Sequence, residues 1–217
     1  MTRIIDLAHP LEEGMQVYPG DPVFCCRSAA NIPEHGYNVR SLSLGSHTGT
    51  HVDAPFHFFA DGKTIDHFPL STFVGPALVV DVSSKKSREK IVWDDLAPYQ
   101  TAMGEGVILL VCTGWSDYWG RPEYFEHPYL ARDAAQKIVA TGVRIVGIDA
   151  LSPDETHLDD SEGDWGAHET ILGAGGIIAE NLRNLGSILG KTATVSLAPL
   201  HISGSDGAPT RAFAICE

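Results

Sequence analysis

The sequence predicts an α/β fold, in which a sheet that is mixed or partly closed into a barrel is flanked by helices. Three observations predict it. The runs Ala77–Val82, Val107–Cys112 and Val143–Ile148 are short, apolar and rich in β-branched residues, as expected of strands buried on both faces. Between the last two, Pro128 to Thr141 repeats apolar residues at helical spacing, with Leu130, Ala134 and Ile138 on one stripe and Gly142 as a stop. Finally, 217 residues with 43% hydrophobic and 20% charged side chains suit one compact domain spanning 1–217, since such a chain buries roughly 70–75% of its unfolded surface around a single core.

The remaining elements follow in chain order. Thr2 to Leu7 reads as a first strand, and Pro10 to Asp21 is dense in turn formers, with Tyr18-Pro-Gly-Asp21 as a tight turn. Tyr37 to Leu44 reads as a strand that runs through Gly45 and Ser46 into a histidine-rich segment. Ile177 to Leu185 is expected to form a second helix after the Gly173-Ala-Gly-Gly176 turn, and Thr192 to Leu197 a last strand.

A formal net charge of −13 repels phosphate backbones and anionic membrane surfaces, so neither nucleic acid nor membrane is expected as a partner. No apolar run approaches the roughly 18 residues of a membrane helix, and Met1-Thr-Arg-Ile-Ile-Asp lacks the pattern of a signal peptide. A cytoplasmic protein is the expectation. Cys25, Cys26, Cys112 and Cys216 form no metal or disulfide pattern and are read as free thiols. Part of the negative charge is local. Between Arg144 and Arg183 there is no Lys or Arg, whereas Asp149, Asp154, Glu155, Asp159, Asp160, Glu162, Asp164, Glu169 and Glu180 all fall there. This stretch is a candidate cation region.

The strongest chemical signal is His47-Thr-Gly-Thr-His51-Val-Asp53-Ala-Pro-Phe-His57. All four polar residues share one parity, so an extended backbone points them to one face until Pro55 bends it. Imidazole and carboxylate together suit zinc, manganese and ferrous iron. A lone strand histidine is more often a packing or surface residue, but four potential ligands within eleven positions are hard to attribute to packing. His168 and Glu180 flank the glycine-rich turn and are candidates for further ligands, with Glu180 expected near the start of the following helix.

HTGTHVDAPFH resembles the HxGTHxDxPxH signature of the cyclase family, which includes bacterial kynurenine formamidases and isatin hydrolases. The segments from His168 to Asn181, Thr113-Gly-Trp115 and Asp206-Gly-Ala-Pro209 look like further family segments, so the resemblance spans nearly the whole chain. It implies a swivelling β/β/α type of fold, a homo-oligomer (dimer or higher) and two divalent ions per chain, zinc or manganese. It further implies that His47, His51 and Asp53 hold one ion, that Asp53, His168 and Glu180 hold the other with Glu180 touching both, and that His57 is the acid/base. The implied activity is hydrolysis of an amide-type C–N bond in a small-molecule substrate such as an aryl formamide, N-formylkynurenine or isatin. In the mechanism this implies, the ions would activate water to attack the carbonyl, and His57 would protonate the departing nitrogen.

Tyr18 stands where kynurenine formamidases carry Trp, and is the expected substrate-binding aromatic. It offers a smaller face and a hydroxyl that asks for a partner. Ser152 to Ala167 reads as an acidic substrate lid. His9, His35, His67, His127, His157 and His201 are assigned to packing or solvent, with His157 the best candidate for an exception. Trp93, Trp115, Trp119 and Trp165 are assigned to core or interface, with Trp115 placed to line a pocket. Lactone or imide ring opening, and a metal-binding module without turnover, are the other function classes this sequence accommodates.

Overall fold

A computed structural model describes residues 2–158 and 163–216. The three apolar runs lie at the centre of a nine-stranded sheet. In chain order its strands are β1 (Arg3–Asp6), β2 (His51–Asp53), β3 (Val74–Asp81), β4 (Ile108–Cys112), β5 (Ile145–Ile148), β6 (Ile177–Glu180), β7 (Ala193–Ser196), β8 (Gly207–Pro209) and β9 (Phe213–Cys216). They lie side by side as β1-β9-β7-β3-β4-β5-β6-β2-β8. β3 to β6 are mutually parallel and every other pairing is antiparallel, so the expected mixed sheet forms.

Two cores follow from the alternation of side chains along the strands. In β4, Ile108, Leu110 and Cys112 face one core while Leu109 and Val111 face the other. The first core also holds Ile5 of β1 together with Val52 of β2 and Ala208 of β8. Strands from opposite ends of the sheet therefore meet around one apolar centre, which requires the sheet to curve. On the second face, helices α1 (Arg132–Ala140) and α2 (Gly166–Gly173) bury Ala134, Ile138, Ile171 and Leu172. Each fully buried Leu or Ile contributes about 1.5–3 kcal/mol relative to exposure.

Two expected elements differ, and a third pairs outside the large sheet. Ile177 to Leu185 is not a helix. Ile177–Glu180 is a strand, parallel to β5 and antiparallel to β2, followed by a 3-10 turn at Leu185–Ile188. The glycine-rich turn instead ends α2, and the slot between β5 and β2 offers ladder hydrogen bonds to a β-branched Ile-Ile pair. Glu180 thus closes a strand. The helix expected from Pro128 starts only at Arg132, because Tyr129–Leu130 pairs with Lys90–Ile91 and Leu130 belongs to that ribbon. Val39–Ser43 is a strand as expected, but it pairs with Cys25–Ala30 rather than with the large sheet. The four cysteines are free, and among the described residues no helix is long and apolar enough to cross a membrane.

Candidate metal centre

The site is built on β2. His51 and Asp53 point to one side of that strand while Val52 enters the first core. The register then sets Glu180 of β6 opposite His51 and Gly207 of β8 opposite Asp53. Gly49, at φ 65°, takes a left-handed turn that most side chains resist. Its carbonyl accepts from His51 Nδ1 at 2.8 Å and from Asn181 Nδ2 at 3.1 Å. This fixes the ring and leaves His51 Nε2 as the nitrogen facing the cluster. Close approach matters at Gly207 also, where a Cβ would lie 2.7 Å from the Val52 carbonyl and 3.0 Å from His47 Cε1.

The six polar residues singled out in the sequence converge. His47 Nδ1 lies 2.7 Å from Asp53 Oδ1, and His51 Nε2 lies 3.2 Å from Asp53 Oδ1 and 3.4 Å from Glu180 Oε2. On the other side, His168 Nε2 lies 3.6 Å from Asp53 Oδ2 and 3.4 Å from Glu180 Oε1. Three groups offer ligand atoms within 4.8 Å of one another: His47 with His51 and Asp53, Asp53 with His168 and Glu180, and His47 with His57 and Asp206. Asp53 belongs to two of them, one carboxylate oxygen turned to each.

His51 Nε2, Asp53 Oδ2 and Glu180 Oε1 are buried without a hydrogen-bond partner among the described residues. Orphaned buried polar atoms are costly, and these three, from imidazole and carboxylate, belong to two ligand groups that share Asp53. The donor set fits a divalent cation. Electrostatics points the same way. Burial opposes charge on His47, yet Asp53 and Asp206 outweigh it and push that imidazole up to about 9. His51 is pushed up to about 10, again against its burial, by Asp53 and Glu180. Asp53 is held well below the usual carboxylate range despite its burial, by His51 and His47. Two buried carboxylates thus demand positive charge, and a divalent cation meets that demand while displacing the imidazole protons.

Above this cluster opens a cavity of about 440 Å³ lined by Tyr18, Asp21, His57, Phe58 and Trp165 as well as by His47, His51, His168 and Glu180. Among the described residues no Lys or Arg lines it. Tyr18 therefore sits in the cavity wall, with its ring 6.2 Å from that of Trp165. Phe58 stacks on His168 at 4.8 Å and 19°. Trp165, assigned from the sequence to core or interface, belongs to the wall. Trp115 does the reverse, packing in the second core with Nε1 donating to the Glu123 carbonyl.

Two functional neighbours escaped the sequence reading. Asp154 accepts from Ala167 N at 2.7 Å, from His168 N at 3.0 Å and from His168 Nδ1 at 2.7 Å, which anchors the start of α2 and presents Nε2 to the cluster. Asp206 bonds His47 Nε2 at 2.8 Å and His57 Nδ1 at 3.3 Å, and these contacts hold its carboxyl far below the usual range. The acidic stretch divides accordingly. Glu180 and Asp154 serve the cluster, and Asp149 binds Thr113 N, Thr113 Oγ1 and Gly114 N. Asp164 and Glu169 pair with Arg132, and Glu155 pairs with Arg88 and lies 3.8 Å from His157. Asp159, Asp160 and Glu162, and with them the centre of the expected lid, lie outside the described residues.

A curved mixed sheet that gathers histidines and carboxylates onto one short strand defines a family. The chain belongs to the cyclase family, whose model "Putative cyclase" matches residues 5–155. Among curated relatives, a kynurenine formamidase of Geobacillus thermodenitrificans is 36% identical over 215 residues, covering 98% of this chain and 97% of that protein. Among solved structures, isatin hydrolase A from Labrenzia aggregata, bound to benzyl benzoate, superposes with a TM-score of 0.89 at 25% identity, covering 99% of this chain and 93% of that one. A structure described as a potential metal-dependent hydrolase with cyclase activity gives a TM-score of 0.80 at 30% identity, covering 100% and 99%.

Proposed function

We propose that the protein is a metal-dependent hydrolase that cleaves a non-peptide amide C–N bond in a small aromatic substrate. The observation that carries this is that His51 Nε2, Asp53 Oδ2 and Glu180 Oε1, buried and without hydrogen-bond partners among the described residues, belong to two adjoining ligand groups beneath an aromatic-walled cavity. His47, His51 and Asp53 would hold one divalent ion, and Asp53, His168 and Glu180 a second. When bound, such ions supply Lewis acidity and lower the pKa of water towards neutrality.

The chain's own groups do the rest. Tyr18, Phe58 and Trp165 grip an aryl ring and leave its carbonyl facing the cluster. Asp206 takes the Nδ1 side of His57, so Nε2 is the nitrogen that gives a proton to the leaving amine and takes one back in the next turnover. Asp154 and the Gly49 carbonyl keep His168 and His51 in the required tautomers. The absence of Lys and Arg from the described cavity lining favours neutral or ammonium-bearing substrates over dianions. A cytoplasmic homo-oligomer, with zinc or manganese as the ion, completes the reading; its support is the family resemblance.

One specific observation supports a second role for His57. His57, His47 and Asp206 themselves form a group with ligand geometry, in which His57 would be a ligand. The test measures bound metal and hydrolysis of N-formylkynurenine, isatin and simple aryl formamides, before and after chelation and metal return. Metal-dependent turnover of one of these supports the proposal. Metal binding without turnover of any moves the site to a binding role.

A further inference from the structure

A second cavity, of about 360 Å³, lies beside the Gly49–His51 segment and is separate from the first. Its polar lining includes Arg183, Arg211, Asp6 and His9. The chain around it is tied together by Arg183 N donating to the Leu7 carbonyl at 3.0 Å and by an Ala8–Leu182 bridge. Five buried side-chain polar atoms lack partners among the described residues; three belong to the metal cluster, and the other two are His9 Nε2 and Arg183 Nε.

The charges are uneven. Arg211 is bound through two nitrogens to Asp6, at 3.1 and 2.8 Å, and Asp6 also accepts from Ala8 N. That pair is self-neutralised. Arg183 makes no ion pair among the described residues, although the chain as a whole carries −13. His9 is only 8% exposed and lies flat on Trp119, with ring centroids 4.1 Å apart. Burial pushes its imidazole down to about 4, so near neutrality the ring is uncharged, and its Nε2 is a buried polar atom with no hydrogen-bond partner among the described residues. The hydroxyls of Thr50 and Thr210 are already spent on the Asn181 and Ala198 carbonyls.

We propose that this cavity is a binding site for a small monocarboxylate with an apolar body. The guanidinium fork of Arg183 matches a carboxylate in shape and charge, and His9, in the same lining, carries an unpartnered ring nitrogen that a ligand would satisfy. A single uncompensated positive charge balances a monoanion. Leu11, Leu200 and Pro209 in the wall receive the apolar part. The site is independent of the hydrolytic reading, because it uses none of the residues assigned to it and its test needs no turnover.

Benzoate is the probe, titrated calorimetrically into the metal-loaded protein. The expected result is saturable binding that weakens at least tenfold in Arg183→Met, recovers in part in Arg183→Lys, and weakens severalfold in His9→Phe, which keeps the stack on Trp119 but removes the ring nitrogen. Melting curves of the variants confirm that each is folded, and Arg183→Lys carries the test should Arg183→Met unfold. The proposal is overturned if benzoate does not bind, if Arg183→Met binds it as well as the native chain does, or if inorganic phosphate binds more tightly than benzoate.

Discussion

Replacing Asp154 by Asn removes one charge and almost no volume, and its consequence can be worked from three hydrogen bonds. Oδ1 accepts from Ala167 N, while Oδ2 accepts from His168 N and His168 Nδ1. An amide has a single acceptor oxygen, so in Asp154→Asn at least one of these donors faces an NH₂ group. Loss of a hydrogen bond to a charged group costs about 1.5–3 kcal/mol, a factor of about 10–150 in an equilibrium constant at about 1.4 kcal/mol per decade. If the oxygen takes the Oδ1 place it keeps Ala167 N, and the cost falls on His168, whose ring is no longer held with Nε2 towards Asp53 and Glu180. Metal affinity should then fall about 10–100-fold, the usual effect of losing a group that orients a ligand. A competition titration against a chromogenic chelator reads this directly, and added metal should restore activity. Unchanged affinity in a folded Asp154→Ala protein, in which no acceptor is left for His168 Nδ1, would refute the assignment of His168 as a ligand positioned by Asp154.

Other expectations follow from the same geometry. His57→Ala should retain metal and lose about 10²–10⁴-fold in kcat; loss of metal with normal activity per bound ion would make His57 a ligand. Trp165→Ala should raise KM for aryl substrates about 2–12-fold, from an aromatic contact of about 0.5–1.5 kcal/mol, with kcat changed less. Gly207→Ala places a methyl group 2.7 Å from the Val52 carbonyl and 3.0 Å from His47 Cε1, and thermal melts should show a loss of about 1–3 kcal/mol together with weaker metal binding. Chelation of protein held at a hundred times its metal Kd should remove about 2.7 kcal/mol. For a chain of this length, that is a fall in Tm of about 5–11 °C at about 2–4 °C per kcal/mol.

The central strands were legible because Val107–Cys112 and its fellows are buried on both faces and cannot alternate. The segment from Ile177 to Leu185 was misread for a related reason. Ile177, Ile178, Leu182 and Leu185 are spaced as on a helix, yet all are buried in a strand and the turns after it. A short apolar run carries no local mark of the sheet neighbours that decide its fate. The ribbon strand Cys25–Ala30 was missed because its mixed, largely exposed residues carry no alternation.

In the site, legibility followed separation along the chain. His47, His51, Asp53 and His57 fall within one turn, one strand and the 3-10 turn that follows it, so their spacing announces them. Asp154 acts 14 residues away from His168, and Asp206 acts 149 residues away from His57. A single aspartate in an acidic stretch, or before a Gly-Ala-Pro, looks like many solvated ones until the fold supplies its partner. The Asp206-Gly-Ala-Pro209 segment and the acidic stretch that holds Asp154 were the available signals. Phe58 and Trp165 were harder still, since an aromatic residue beside a motif is most often core.

The central claim is that this cluster holds the ions on which hydrolysis depends. Anomalous diffraction from crystals of manganese-loaded protein tests it most directly. The account predicts anomalous peaks within about 2.0–2.3 Å of the His51, Asp53, His168 and Glu180 ligand atoms. Active, metal-loaded crystals with no peak at those atoms would contradict it.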